Sequence, residues 1–338
     1  MATETLLSTG IPFTSLPDSY VRPPSQRPRL SEVRTCEELP VIDLSTPDMT
    51  ELARQVRDAC ESYGFFQITN HGVPQQVVEE MLLVARQFFS LPIEEKMKLY
   101  SNDPSKKLRL STSFNLKKET VHNWRDYLRL HCHPLENFIH EWPTNPPNFK
   151  AMVGEYSKQT RELAQRVMKI ISLSLGVEGY LEKVLVASQE QHMAINYYPS
   201  CPQPELTYGL PAHTDPNVLT ILLQDGVAGL QVQKDGQWLA VDPLPSAFVV
   251  NIGDQIQALS NGRYRSVWHR AVVNNQRERL SVASFIFPGP NTLIETAAEL
   301  AGDGGEGRVY RSYCFEEYYK KFWSRTLDDG HCLDCFRV

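Results

Sequence analysis

Leu210-Pro211-Ala212-His213-Thr214-Asp215 is the stretch on which the reading of this chain turns. His213 and Asp215 stand two residues apart, and in an extended strand the side chains at i and i+2 leave the same face. An imidazole and a carboxylate held side by side at a strand end are two-thirds of a 2-His-1-carboxylate facial triad. Such a site binds non-haem Fe(II) and leaves coordination positions open for chemistry. A His-x-Asp pair alone is common, so the third ligand decides. His269, in Ser266-Val267-Trp268-His269-Arg270-Ala271-Val272, lies on a second strand-like run and is the candidate. Further on, Arg279-Leu280-Ser281 opens another apolar run with Arg279 and Ser281 on one face. A planar guanidinium fork beside a hydroxyl suits the far carboxylate of a dicarboxylic co-substrate.

Composition narrows the classes. The chain has 338 residues and is 41% hydrophobic, enough for a full core. Its net charge of −6 comes from interspersed signs with no basic stripe, so neither nucleic acid nor an anionic membrane is an expected partner. No apolar run approaches the ~20 residues of a membrane span. The first basic residue is Arg22, unlike a secretory signal or an Arg-rich transit peptide. The expected location is cytoplasmic, with the nucleus as a second compartment. Seven scattered cysteines read as reduced thiols rather than a disulfide framework. Cys332-Leu333-Asp334-Cys335 beside His331 imitates half a zinc site, but no second Cys/His pair stands at suitable spacing.

Residues 1–38, punctuated by Pro12, Pro17, Pro23, Pro24 and Pro28, read as an arm that wraps the body or stays mobile. Leu39–Leu44 predicts a first strand. Leu52, Val56, Ala59 and Tyr63 recur at helical spacing up to Gly64, a C-terminal cap. Phe65–Ile68 predicts a strand, and Asn70-His71-Gly72 a turn, which makes His71 a turn histidine rather than a ligand. Pro74 starts a second helix through Val77, Met81, Val84, Ala85 and Phe88. Lys96–Lys107 is polar and predicts loop. Residues 123–131 alternate as a strand, with Tyr127, Arg129 and His131 on one face. His131-Cys132-His133 competes as a ligand pair, but with no carboxylate in triad-like placement it ranks below His213 and Asp215. A long amphipathic helix from Phe149 ends at Gly176.

Beyond it the texture changes to short β-rich runs at 193–198, 218–223, 229–233, 247–252, 267–273 and 281–287, the spacing of a sandwich or barrel. A last helix spans about 313–325, with Tyr318, Tyr319, Phe322 and Trp323 as its apolar side. Gly302-Asp303-Gly304-Gly305-Glu306-Gly307 fits a dinucleotide fingerprint as a string. It lacks the preceding strand and following helix, and its two acids would repel a pyrophosphate. It reads as a loop.

Asn196-Tyr197-Tyr198-Pro199, the triad and Arg279-Leu280-Ser281 resemble plant 2-oxoglutarate/Fe(II)-dependent dioxygenases, as does Gly64–Val73. The resemblance implies a mainly β chain with flanking helices (α+β), whose core is a double-stranded β-helix, or jelly roll, packed on N-terminal helices. It suggests an arm at 1–38, an N-terminal region at 39–185, the jelly-roll core at 186–300 and a C-terminal loop and helix at 301–338. It implies Fe(II) on His213, Asp215 and His269, which also form the catalytic centre. It implies 2-oxoglutarate as co-substrate, held by Arg279 and Ser281 with Tyr198 and Asn196 nearby. Dioxygen is the oxidant, with ascorbate in support. The products are succinate, carbon dioxide and an oxidised substrate.

The substrate wall implied by the resemblance is Tyr127, Arg129, Phe285 and Phe287. Enzymes of the anthocyanidin synthase type usually carry an acid at the position matching Phe287, and that difference weakens a transfer of their substrate preference. The stretches at 123–134, 208–211 and 318–325 resemble the downy-mildew-resistance group, similar to salicylate hydroxylases and type I flavone synthases. The expected partner is therefore a small aromatic substrate, salicylate or a flavanone such as naringenin, on a monomeric enzyme. Hydroxylation of the one and desaturation of the other to a flavone stay open, as does another flavonoid- or hormone-oxidising dioxygenase of the family. The rival from another class is a barrel that binds a small aromatic ligand without turnover. Arg129 has two readings: a structural pair with Asp126 or Glu119, or a partner for the substrate's carboxylate or a polarised flavonoid oxygen.

Overall fold

The computed structural model describes residues 6–36, 39–114, 116, 118–185, 189–302, 307–325 and 330–338. Its strands are β1 (Arg34–Thr35), β2 (Val41–Asp43), β3 (Phe65–Thr69), β4 (Arg109–Thr112), β5 (Asp126–His133), β6 (Glu190–Tyr198), β7 (Leu210–His213), β8 (Leu219–Gln224), β9 (Leu230–Lys234), β10 (Gln237–Ala240), β11 (Phe248–Ile252), β12 (His269–Ala271) and β13 (Arg279–Phe287). A small ribbon of β14 (Leu293–Ile294) and β15 (Tyr313–Cys314) follows. The main strands form two facing sheets, ordered β1-β10-β9-β12-β7 and β2-β3-β11-β8-β13-β6-β5-β4. This is the sandwich that the short β-rich runs predict, and the jelly roll that the resemblance implies.

Strand alternation explains what each face of the larger sheet does. In β13, Leu280, Val282 and Ile286 join the main hydrophobic core, while Arg279, Ser281, Ala283 and Phe285 line a cavity between the sheets. In β6, Met193 and Ile195 face the core, and Ala194, Asn196 and Tyr198 face the cavity. The core side is covered by α1 (Met49–Ser62), α2 (Gln75–Phe89) and α4 (Phe149–Leu175). Asp48 caps α1 by accepting from Thr50 and Glu51 N–H. Gly176, at φ 76°, ends α4 in the left-handed conformation expected of a C-terminal glycine. Each core side chain contributes about 1.5–3 kcal/mol by burial, so the sheet is fixed from behind while its other face lines the cavities.

One expectation changes, and one left open is resolved. Lys96–Lys107 is not all loop, because Ile93–Met97 forms a short helix, α3. Lys96 is fully buried there, its ammonium donating to the carbonyls of Phe89 and Ser8. Three local acceptors satisfy the charge (Ser8 Oγ is the third, at 3.1 Å), which residue polarity alone could not reveal. The arm from Leu6 to Cys36 lies against the body: Leu7, Leu16 and Tyr20 pack with Trp124 and Tyr198, and Leu7 and Ser8 N–H donate to Asp126. The Gly302–Gly307 string falls mostly on residues 303–306, outside the described residues. The other helices are α5 (Tyr180–Leu185), α6 (Asp254–Leu259) and α7 (Phe315–Ser324).

Candidate active site

His213 and His269 are direct register partners across β7 and β12, with ring centroids 4.2 Å apart. Asp215 lies just past the end of β7 rather than on it. Its Oδ1 still stands 3.8 Å from His213 Nε2 and 3.7 Å from His269 Nε2. The three donor atoms lie within 4.8 Å of one another.

The surroundings orient each donor. His213 Nδ1 is 2.9 Å from the Pro211 carbonyl, and His269 Nδ1 is 3.1 Å from that of Val267. A carbonyl only accepts, so both Nδ1 atoms carry the proton and both Nε2 lone pairs are free for a metal. Asp215 Oδ2 accepts from Thr220 Oγ1 at 2.6 Å and Asn251 Nδ2 at 2.8 Å, which leaves Oδ1 for the same point. Burial and the neighbouring His269 push the His213 imidazole well below its ordinary range, so it is neutral. Burial alone would raise the Asp215 carboxyl, but the two imidazoles and the two donors hold it below the ordinary range. Two imidazole nitrogens and one carboxylate oxygen fit Fe(II), and supporting hydrogen bonds of this kind fix ligand orientation.

The predicted co-substrate residues converge on the adjoining cavity of about 90 Å³, which the triad also lines. Arg279 is the register partner of Tyr198, and Ser281 of Asn196, across β13 and β6. Arg279 donates from Nε to the Val227 carbonyl and from Nη2 to Gln224 Oε1, and its guanidinium lies 5.2 Å from the Tyr198 ring centroid. Asn196 bridges, donating to Ser281 Oγ and accepting from Arg125. Gly229 leaves room for this: a Cβ there would stand 2.7 Å from Arg279 Cδ.

A second cavity, of about 130 Å³, opens on the other side of the triad. Tyr127, Arg129, Phe285 and Phe287 all line it, together with Arg109, Phe114, Tyr319, Phe322 and Trp323. Among the described residues Arg129 pairs with no acid. Its Nη2 donates to the carbonyls of Pro104 and Lys106, both at 2.6 Å. The two acids proposed for it are taken: Asp126 by the N-terminal arm, Glu119 by Ser113, Phe114 N–H and Asn123. Arg109 stands directly opposite Arg129 in register, and the buried Nε of each lacks a hydrogen-bond partner.

Sequence reasoning missed Thr220 and Asn251, which no motif marks. It also missed Arg125, whose guanidinium stacks 4.6 Å from the Tyr127 ring centroid. Alternation was the available signal, because Arg125 stands two before Tyr127 and four before Arg129. The view of His131 is corrected as well. A carboxylate does accompany it, but from the neighbouring strand: Glu190, His192 and His131 cluster within 4.8 Å. His71 is the expected turn histidine, bonded to Ser246 and Val73. His331 caps its own turn and lies 3.5 Å from Asp254, and the cysteines beside it are free.

Comparison with known proteins agrees with this architecture. Residues 189–288 match the model of the 2OG-Fe(II) oxygenase superfamily, and residues 39–149 that of the non-haem dioxygenase in morphine synthesis N-terminal region. The chain is 59% identical to rice "Flavanone 3-dioxygenase 2", over 98% of this chain and 97% of that protein. It is also 59% identical to Arabidopsis thaliana "Protein DOWNY MILDEW RESISTANCE 6", over 98% of both. A crystal structure of JOX2 in complex with 2OG, Fe and JA superposes with a TM-score of 0.87 at 35% identity, covering 98% of this chain and 96% of that one. With near full-length relatives at this identity and a donor set suited to the metal, the chain belongs to the 2OG-Fe(II) oxygenase superfamily and is a 2-oxoglutarate/Fe(II)-dependent dioxygenase using O2.

Proposed function

We propose that this enzyme oxidises a small plant phenolic, and that an anionic hydroxybenzoate of the salicylate type is its preferred substrate. The observation that supports the reading is the pair Arg109 and Arg129 at one end of an aromatic chamber, with buried Nε atoms unpartnered and, among the described residues, no carboxylate paired to either. Unsatisfied buried donors cost about 1–3 kcal/mol each, more when charged. A ligand carboxylate would relieve that cost, while Tyr127, Phe285 and Phe287 offer flat apolar surface to its ring.

Fe(II), when bound to His213, Asp215 and His269, supplies oxygen activation coupled to decarboxylation of 2-oxoglutarate. The protein's own residues do the rest. Arg279 and Ser281 hold the far carboxylate of 2-oxoglutarate, Tyr198 stacks over the guanidinium, and Asn196 keeps Ser281 in place. The aromatic wall excludes water and would hold the substrate ring beside the triad.

A second reading is a neutral flavanone in the same chamber, oxidised by hydroxylation or by desaturation to a flavone. It draws on the name of the rice relative at 59% identity. Parallel incubation with salicylate and naringenin, with succinate and both products measured, separates the two. A dihydroxybenzoate at the higher kcat/KM supports the first reading. A hydroxylated flavanone or a flavone at the higher kcat/KM favours the second, and succinate release without either product rejects both.

A further inference from the structure

The iron site has a counterpart at the far end of the larger sheet. In the iron site, on the smaller sheet, a cross-strand histidine pair, His213 and His269, is joined by a carboxylate two residues along from one of them. The same pattern recurs in β5 and β6. His131 and His192 are direct register partners, and Glu190 precedes His192 by two, so strand alternation sends it to the same face. The two imidazole centroids are 3.8 Å apart, and His192 Nε2 is 3.1 Å from Glu190 Oε2. As in the triad, one donor atom from each of the three residues lies within 4.8 Å of the others. Both histidine rings are packed in place, His131 against Phe138 and His192 against Phe287.

We propose that His131, Glu190 and His192 form a second metal site, which takes a borderline divalent transition ion such as Zn2+. Two imidazoles and one carboxylate are the ligand set that such an ion accepts, at tetrahedral sites with a remaining position for water or a ligand. Glu190 accepts from His192 Nε2, so an ion would take the place of that proton, and burial, with Arg129 adding to the effect, keeps both imidazoles below their ordinary range. The same Arg129, with Lys107, adds positive charge nearby, which makes this site weaker than the triad. His192 and Arg129 line the aromatic chamber, so an ion here alters the charge of the chamber's end. The site is independent of which phenolic the enzyme prefers.

The test is a Zn2+ titration of the metal-stripped full-length chain, with free ion set by a chelator buffer and bound ion counted. Two ions per chain are expected for the wild type and one for the double variant His213→Ala/Asp215→Ala. None is expected when His131→Ala or His192→Ala is added to that background, and Glu190→Gln should loosen the remaining ion at least tenfold. Zn2+ should also raise the Tm of the double variant, since a ligand that binds only the folded state stabilises it. The proposal is overturned by a single ion in the wild type, or by no Tm shift in the double variant. It is equally overturned by a second ion that survives both histidine substitutions, or one that departs with Cys332→Ser.

Discussion

His213 and His269 face each other across β7 and β12, and each gives its Nδ1 proton to the carbonyl two residues earlier in the chain. The backbone that pairs the strands therefore also aims the rings, and the metal site is rigid before a metal arrives. Removing one donor leaves two, too few to retain Fe(II). His213→Ala, Asp215→Ala and His269→Ala should each abolish substrate oxidation and succinate release. The Tm of the metal-free protein should stay near the wild-type value, because none of the three belongs to the hydrophobic core. A variant with normal iron content and rate would remove that residue from the ligand set.

Asn251 acts through Asp215. It donates to Oδ2 at 2.8 Å and so turns Oδ1 toward the two histidines. Loss of such an orienting bond costs roughly 10–100-fold in metal affinity or activity. Asn251→Ala should weaken metal binding by that order, while the 2-oxoglutarate KM at saturating Fe(II) changes little. Equal metal affinity in the two proteins would make the bond incidental.

Much of this site was legible because strand period is rigid. Once Arg279 and Ser281 share a face, Leu280 must face the helices, and the structure has it so. Asp215 was identified by its spacing from His213, although it stands beyond the strand end and reaches the same point through a turn. What stayed hidden depends on pairing between distant strands. Glu190 joins His131 only through the β5–β6 register, and Arg109 meets Arg129 only through β4–β5. Lys96 was hidden for another reason. Its burial relies on acceptors from the arm and from the end of α2, which sequence polarity does not report.

Arg279, proposed to hold the far carboxylate of 2-oxoglutarate, is itself fixed by two protein hydrogen bonds and the Tyr198 ring. Arg279→Lys keeps the charge but loses the fork. The 2-oxoglutarate KM should rise far more than that of the aromatic substrate. Truncating a buried carboxylate partner costs roughly 2–5 kcal/mol, a factor of about 30 or more in affinity. An unchanged 2-oxoglutarate KM in both Arg279→Lys and Arg279→Ala would reject the assignment.

Gly229 offers a subtler check of the same contact. A Cβ there would meet Arg279 Cδ at 2.7 Å and the Val272 carbonyl at 2.9 Å, both too close. Overpacking of this kind costs about 1–3 kcal/mol. Gly229→Ala should lower the Tm and raise the 2-oxoglutarate KM together, because the guanidinium is what must move. A lowered Tm with normal co-substrate kinetics would show that the backbone, not Arg279, absorbs the strain.

In the proposed function Arg129 selects the substrate. Its Nη2 is held by two carbonyls, its Nε has no partner, and Arg109 stands opposite with the same deficiency. The two acids that would have made it a structural pair are engaged elsewhere. Two cations facing one chamber repel each other, and an incoming carboxylate converts that repulsion into two charge-assisted contacts. A neutral flavanone gains much less. Arg129→Leu should therefore cut kcat/KM for salicylate by about 30-fold or more, the equivalent of losing a ~2 kcal/mol contact, and that for naringenin by only a few-fold. Arg109→Leu should follow the same order with a smaller loss, since its guanidinium is also tied to the Tyr127 hydroxyl. Parallel kinetics on both substrates measure the difference directly. Equal losses on salicylate and naringenin with a lowered Tm would return Arg129 to a structural role, holding the Pro104–Lys106 segment in place.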